Sequence, residues 1–369
     1  MDLELSDEQK QLKEQVGRLL DEKATPDALR KLITSDAGID RDLWTQVAEL
    51  GLLGAAIPEE YGGVGLGAKD LCVIAEEMGR TVAPVPFFSS ICLAAEALLL
   101  AGTEAQKAEW LPKIASGEVI ATFAWNEGPG AADAASVTAK LAGGKLTGIK
   151  SPVPDAELAD LAVVVVAGPK LALVNLKQSG VRLEPLTGFD QLRKHAKVFF
   201  ADADAEAMDA ADGHETLRRL YDRAAVFEAF EQTGAAESAM LMARDYTLGR
   251  YTFGRQLASY QAIKHRLADI LVMVELARSN ALYAAAALDA DAADLPVAAA
   301  TARLAATRAY EIAARENLQL HGGIGFTWEA NCHFHYRRAR LLALNLGSAE
   351  VWEGKLIDAL SAENAPAAA

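Results

Sequence analysis

Apolar positions recur at three- and four-residue spacing in the first and last thirds of the chain, and contract to short β-branched runs in between. The first helix opens on Ser6-Asp-Glu-Gln9, a capping box in which the Ser6 hydroxyl can accept the third backbone N–H and Gln9 can reach back. Leu12, Val16, Leu19 and Leu20 follow at helical spacing. Asp42–Leu50 reads as another amphipathic helix closed by Gly51, and Ile57-Pro-Glu-Glu-Tyr-Gly-Gly-Val-Gly-Leu66 as a loop whose glycines make positive φ inexpensive. Asp70–Met78, Ile91–Leu100 and Glu104–Ile114 complete a helical N-terminal domain, residues 1–119.

After Glu118 the texture changes. Thr138–Leu141, Leu146–Ile149, Leu161–Val166, Leu171–Asn175 and Lys197–Ala201 are apolar or β-branched runs punctuated by Gly, Pro and Asp, with Ala162–Ala167 the clearest buried strand. They predict a central β domain, 120–210. From His214 onward, Leu217–Leu248, Gln261–Asp289, Val297–Leu320 and Ala349–Leu360 are long Ala- and Leu-rich helical patterns. These predict a four-helix-bundle-like C-terminal domain, 211–369, with faces available for subunit contacts. The tail Ala362–Ala369 is low-complexity and expected to fray. The fold class is α+β, and no internal repeat is visible.

Composition narrows the function classes. With 369 residues, 51% of them hydrophobic, the chain can bury large cores. A formal charge of −15 argues against nucleic-acid binding and a polybasic membrane anchor. Cys72, Cys92 and Cys332 are too few and scattered for a disulfide framework or metal cluster. His333 and His335 have no Cys or carboxylate set around them that reads as a metal site, so both are expected to be structural or surface residues. Met-Asp-Leu-Glu-Leu-Ser at the start lacks the basic and apolar regions of a signal peptide. The apolar run Phe87–Gly102 is short of a membrane span and carries Glu96. A cytoplasmic, non-membrane protein is expected.

The motifs then converge on one family. Trp44-x-x-x-Ala-Glu-Leu-Gly-Leu-Leu, Ile57-Pro-Glu-Glu-Tyr-Gly-Gly, Ala75-Glu-Glu-Met-Gly-Arg80, Gly102-Thr-Glu-Ala-Gln-Lys and Trp110-Leu-Pro-x-Ile-Ala-x-Gly-Glu118 occur in order. Arg250-Tyr-Thr-Phe-Gly-Arg255 with Tyr260-Gln261, and Gln319-Leu-His-Gly-Gly, follow in the C-terminal part. Together they resemble the flavin-dependent acyl-CoA dehydrogenases, whose fold is helical, then β, then helical. The resemblance implies FAD as cofactor, with Arg250, Phe253, Gln261, Gln319, Gly322 and Gly323 at its ADP end across a subunit interface. The residue chemistry suits that role: a guanidinium binds pyrophosphate by charge-assisted bonds, and glycine lets backbone N–H groups approach an anion. Read without the family, Arg250 and Phe253 are better taken as a surface cation and a core aromatic at a helix end. Gly322-Gly323 is equally a helix cap followed by a turn, and His321 is expected to be structural.

Three own-subunit elements depart from the family pattern. The flavin-facing strip Thr-Glu-Pro-x-x-Gly-Ser-Asp stands here as Asn126-Glu-Gly-Pro-Gly-Ala-Ala-Asp133, keeping only Glu127 of the first pair. The element Lys-x-Trp-Ile-Thr-Asn is Lys150-Ser-Pro-Val-Pro-Asp155, in which Pro152 and Pro154 remove the indole, the hydroxyl and two backbone donors together. The glutamate that abstracts the substrate's α-proton is Leu346. Some members carry that base on an earlier helix; counting thirty residues back from Gly254 lands on Ala224, with Asp222 and Glu228 nearby. Such carboxylates on an Ala-rich helix are expected to be solvated or interfacial.

The pattern of kept and lost elements, with His333-x-His-x-Arg-Arg338, is similar to one subunit type of bacterial heterotetrameric steroid side-chain acyl-CoA dehydrogenases. It implies an α2β2 assembly with a homologous partner that supplies the base, no catalytic residue on this chain, acyl-CoA as substrate and an electron-transfer flavoprotein as acceptor. Two alternatives stand beside it: a homomeric dehydrogenase with a relocated carboxylate, and an FAD-free interaction protein.

Overall fold

The computed structural model describes residues 4–363 except Asp36 and Ala131; most of the tail expected to fray lies outside them. The helical, β, helical order holds. Helices α1 (Asp7–Lys23), α2 (Pro26–Ile33), α3 (Arg41–Glu49) and α4 (Ala68–Arg80) come first. A π-helical stretch, Phe88–Ala95, then runs into α5 (Glu96–Ala101) and α6 (Glu104–Ala115). Strands β1 (Ala121–Ala124), β2 (Lys140–Ala142), β3 (Lys145–Pro154) and β4 (Leu161–Val166) follow, then β5 (Lys170–Asn175), β6 (Val181–Leu186), β7 (His195–Asp204) and β8 (Glu206–Ala207). The last part holds α7 (Gly213–Gly249), the short strands β9 (Tyr251–Thr252) and β10 (Arg255–Gln256), α8 (Gln261–Asp289), α9 (Leu295–Leu320), α10 (Cys332–Leu342) and α11 (Ala349–Glu363).

Internal contacts divide the chain into two compact units. One comprises 27–71 and 84–224 and contains both larger sheets. In the first sheet the order is β1-β4-β5-β8, with β1 and β4 parallel and β4 buried along its whole length. In the second it is β2-β3-β7-β6, antiparallel throughout. The register of β3 on β7 shifts between Lys150 and Val153, an irregularity that accommodates Pro152, and Lys150–Pro154 has no β2 partner, so the prolines leave no ladder bond unmade on that side. The strand predicted at Thr138–Leu141 begins only at Lys140, because the amides of Thr138 and Ala139 donate to the Glu127 carboxylate at 2.8 and 2.9 Å instead of to a neighbouring strand.

The other unit comprises 1–26, 72–83 and 225–369. The Ser6 capping box is present, with Gln9 N donating to Ser6 Oγ at 3.2 Å and Ser6 N to Gln9 Oε1 at 3.1 Å. Where α4 crosses α7 the backbones touch: a Cβ on Gly79 would lie 1.8 Å from the Glu231 carbonyl oxygen, and one on Gly234 2.2 Å from that of Glu76. Only glycine permits that approach. Arg278 on α8 binds Glu76 and Glu237, and Lys13 on α1 reaches Glu76 at 2.7 Å, so the carboxylates buried at the crossing are paired.

Candidate functional site

The helical unit gathers the expected cofactor residues at one end. The C-terminal end of α9 meets α7 through a Tyr246–His321 ring stack with centroids 4.1 Å apart, and meets the start of α8 through the Arg266–Glu316 ion pair. Arg250 therefore emerges from α7, Gln261 begins α8, and Gln319, Gly322 and Gly323 end α9 at the same extremity. All five are exposed, and Arg250 has no ion pair among the described residues.

Between Arg250 and Gln261 the chain makes a hairpin that the sequence reading missed. Thr252 pairs with Arg255 across Phe253-Gly254, whose φ values are +50° and +79°. A two-residue turn with both φ positive suits Asn-Gly or Gly-Gly, and a bulky first residue is strained there by about 1–3 kcal/mol. Phe253 nonetheless holds that position and is 94% exposed, which disposes of the reading of Phe253 as a core aromatic. The unreported signal was a Phe-Gly pair flanked by Tyr251-Thr252. The hairpin also orders Arg255, whose guanidinium lies 3.7 Å from the Tyr260 ring centroid, while Tyr260 Oη donates to Thr252 O at 3.0 Å. Gly322 has φ +65°, and a Cβ on either Gly322 or Gly323 would meet nothing within 4 Å. This end presents an uncommitted cation, an exposed aromatic and open backbone, a donor set that fits a phosphate-bearing nucleotide.

His321 Nδ1 pairs with Asn317 O at 2.8 Å, in keeping with a structural role. His335 is enclosed between Tyr310 Oη at 3.2 Å and Ser238 Oγ at 3.3 Å, and burial, with Arg338 nearby, pushes its pKa down to about 3. His333 packs against Trp328 and Phe334.

In the β-containing unit, the strip 126–133 and the segment 150–155 are tied together, but among the described residues Trp125 Nε1 and Asn126 Oδ1 are buried without a hydrogen-bond partner and line, with Glu127 and Asp133, a pocket of about 310 Å³. Lys150 is fully buried, donating to Glu127 Oε1 at 2.8 Å and Trp125 O at 2.9 Å. Thr138 Oγ1 donates to the other Glu127 oxygen at 2.6 Å, and Ser151 N to Asn126 O at 2.7 Å. Trp125 packs edge-on against Tyr221 with centroids 4.4 Å apart. Pro152 and Pro154 offer no N–H. This donor set does not fit an isoalloxazine ring. Burial alone would raise the Glu127 carboxyl, but Lys150, the Thr138 hydroxyl and the Ala139 and Thr138 amides bring it down to about 2. A depressed carboxyl stabilises the fold above its unfolded value and loses that contribution as pH falls from the ordinary carboxylate range through about 2. Glu127→Gln is therefore expected to cost about 1–3 kcal/mol at pH 7 and to flatten the acid limb of an unfolding-against-pH curve; an unaltered acid limb would refute the assignment.

The two candidate relocated bases are not solvated, contrary to expectation. Glu228 is fully buried with Oε2 3.6 Å from Arg303 Nε, and Asp222 is buried and accepts from Arg218 Nη1 at 3.0 Å. The long helix that carries them is covered on more sides than its alanine content suggested. Leu346 is buried as well, its carbonyl accepting from Trp352 Nε1 at 3.2 Å.

Comparison with known proteins agrees with this architecture. The acyl-CoA dehydrogenase N-terminal domain family matches residues 6–118 and the C-terminal domain family residues 213–360. The acyl-CoA dehydrogenase IpdE2 of Mycobacterium tuberculosis is 32% identical over 357 residues, covering 94% of this chain and 98% of that protein. A variant of the Tcur3481-Tcur3483 steroid ACAD superposes with a TM-score of 0.90 at 31% identity, over 98% of this chain and 99% of that one. The ChsE4-ChsE5 complex from Mycobacterium tuberculosis gives 0.89 at 26% identity, with both chains fully covered. Near-complete identity-bearing matches on top of the ordered motifs make this chain a member of the acyl-CoA dehydrogenase family.

Proposed function

We propose that this chain is the non-catalytic partner subunit of a heteromeric, FAD-dependent acyl-CoA dehydrogenase, with the domain division 1–119, 120–210 and 211–369 and a cytoplasmic location. The observation that carries the proposal is the contrast between two regions, one in each compact unit. The Arg250–Gln261 and Gln319–Gly323 extremity is open and uncommitted, whereas Glu127 and Lys150 are paired with each other, Pro152 and Pro154 replace the donors of the flavin-facing segment, and Leu346 stands where a base would be. Arg250 would bind the pyrophosphate, Phe253 would lie against the adenosine, and Gln261, Gln319 and the Gly322-Gly323 backbone would fix the same end. FAD, when bound, supplies the hydride acceptor for the β-carbon of the acyl chain. A carboxylate of the homologous partner would take the α-proton, giving the trans-2-enoyl-CoA, and an electron-transfer flavoprotein would reoxidise the complex. Relatives described as a steroid ACAD and as a two-protein complex support a bulky acyl group and an α2β2 assembly.

The competing reading, a homomeric enzyme with Glu228 as base, is disfavoured by the Arg303 contact, which holds Glu228 as a buried counter-ion. Glu228→Gln strands Arg303 and should lower stability, but turnover per folded complex, measured as enoyl-CoA formation well below the variant's melting temperature, should stay near wild type. A loss of about 10²–10⁴-fold is what a general base would show and would replace this proposal with the homomeric one.

A further inference from the structure

Arg250 and the Gly322-Gly323 turn end different helices, and a short column of side-chain contacts fixes how far apart they stand. Met242 and Tyr246 lie one turn apart on α7, and Arg250 continues that row just past its last residue. Asn317 and His321 stand in the same relation at the end of α9. The two rows meet rung by rung. Asn317 Nδ2 donates to Met242 Sδ at 3.4 Å, and the His321 ring stacks on Tyr246 with centroids 4.1 Å and planes 22° apart. The next position outward is Arg250 on one side and Gly322-Gly323 on the other.

Each side of the last rung is tied to what lies beyond it. Arg250 N donates to Tyr246 O at 3.0 Å, and among the described residues the guanidinium has no ion pair or side-chain hydrogen bond of its own. Its placement against α9 therefore follows Tyr246. On the other side the turn leaves directly from His321 and is pinned from behind. A Cβ on Gly325 would lie 2.4 Å from Leu318 O, and Cys332 Sγ donates to Gly325 O at 3.4 Å. The His321 ring is itself oriented. Its Nδ1 lies 2.8 Å from Asn317 O, and since a carbonyl can only accept, Nδ1 carries a proton and holds the ring in one plane. We infer that His321 is a positioning residue: through its stack on Tyr246 it sets the distance between Arg250 and the Gly322-Gly323 backbone, so that both reach one phosphate-bearing ligand together. The inference rests on the reading of this end as the FAD site, and His321 acts in it through Tyr246 rather than by touching the cofactor.

The FAD dissociation constant of the assembled complex tests it, read from the flavin spectrum during titration of apo-complex, well below the melting temperature of every variant. His321→Leu fills the space without a flat ring and should raise the constant about tenfold, whereas His321→Phe keeps a ring on Tyr246 and should stay within about threefold of wild type. In an Arg250→Ala background the His321→Leu change should cost no more than about threefold, because the spacing it disturbs has lost one of its two sides. Equal affinities for the Leu and Phe variants would make His321 a space-filler and overturn the inference. So would a His321→Leu effect undiminished by Arg250→Ala. An Arg250→Ala complex that binds FAD like wild type is a different failure: it removes the FAD reading itself, and the inference with it.

Discussion

Arg303→Ala is expected to lower the stability of the protein by about 3–5 kcal/mol, the usual cost of stranding one member of a buried ion pair. Arg303 is 1% exposed and faces Glu228, itself fully buried, at 3.6 Å. Its Nη1 donates to Gln232 Oε1 at 2.7 Å and to Thr307 Oγ1, and its Nη2 to the Leu342 carbonyl, so one side chain ties α7, α9 and the end of α10 together. Burial pushes the guanidinium pKa down, and the charges of Glu228, Glu231 and Glu311 oppose that shift. Truncation removes the counter-charge of Glu228 and a donor to each of three buried oxygens at once. Adding Glu228→Gln to Arg303→Ala should recover part of the loss, since the stranded charge is then gone. Urea unfolding of the four proteins in this cycle measures it; additive single and double effects would show that the two side chains are not coupled.

Arg250→Ala should weaken FAD binding by the assembled complex about ten- to a hundredfold, as expected for a charge-assisted hydrogen bond worth roughly 1.5–3 kcal/mol. Arg250 stands exposed beside the Phe253-Gly254 turn, without an ion pair among the described residues. Its removal takes nothing from the core, so thermal stability without added flavin should not change. Titration of apo-complex with FAD, followed by the flavin spectrum, reads the effect directly. Unchanged affinity at limiting FAD would remove Arg250 from the cofactor end and leave its exposure without a role.

Long, strongly periodic elements were legible because their burial follows their own sequence. The structure places α8 at Gln261–Asp289 and β4 at Leu161–Val166, matching the runs read from the sequence. Elements defined by their surroundings were not. Strand β1 is four fully buried residues, Ala121-Thr-Phe-Ala, with no alternation to mark it, and β6 contains Pro185, which argues against a strand unless neighbours are known. Helix α10 reads as polar, Cys-His-Phe-His-Tyr-Arg-Arg, yet His335 and Arg338 are buried, Arg338 lying 3.4 Å from Glu231. The helix expected at Ile91–Leu100 starts at Phe88 and is π-wound at first, a winding that apolar spacing does not report. At the candidate site, Arg250, Phe253 and Gly254 stood out only through their resemblance to a family motif, and the structure leaves all three exposed. The burial of Glu228 was not legible, because its partner Arg303 lies 75 residues away along the chain (303 minus 228).

The central claim, that this chain completes a flavin site in another subunit and has none of its own, is tested most directly by flavin absorbance. The spectrum is recorded for the chain purified alone and for the same chain co-purified with a homologous acyl-CoA dehydrogenase subunit. The Glu127–Lys150 pair, the donor-free prolines 152 and 154 and the open Arg250–Gly323 end predict no flavin in the first sample and stoichiometric flavin with acyl-CoA turnover in the second. Bound flavin and turnover in the chain alone would contradict the account.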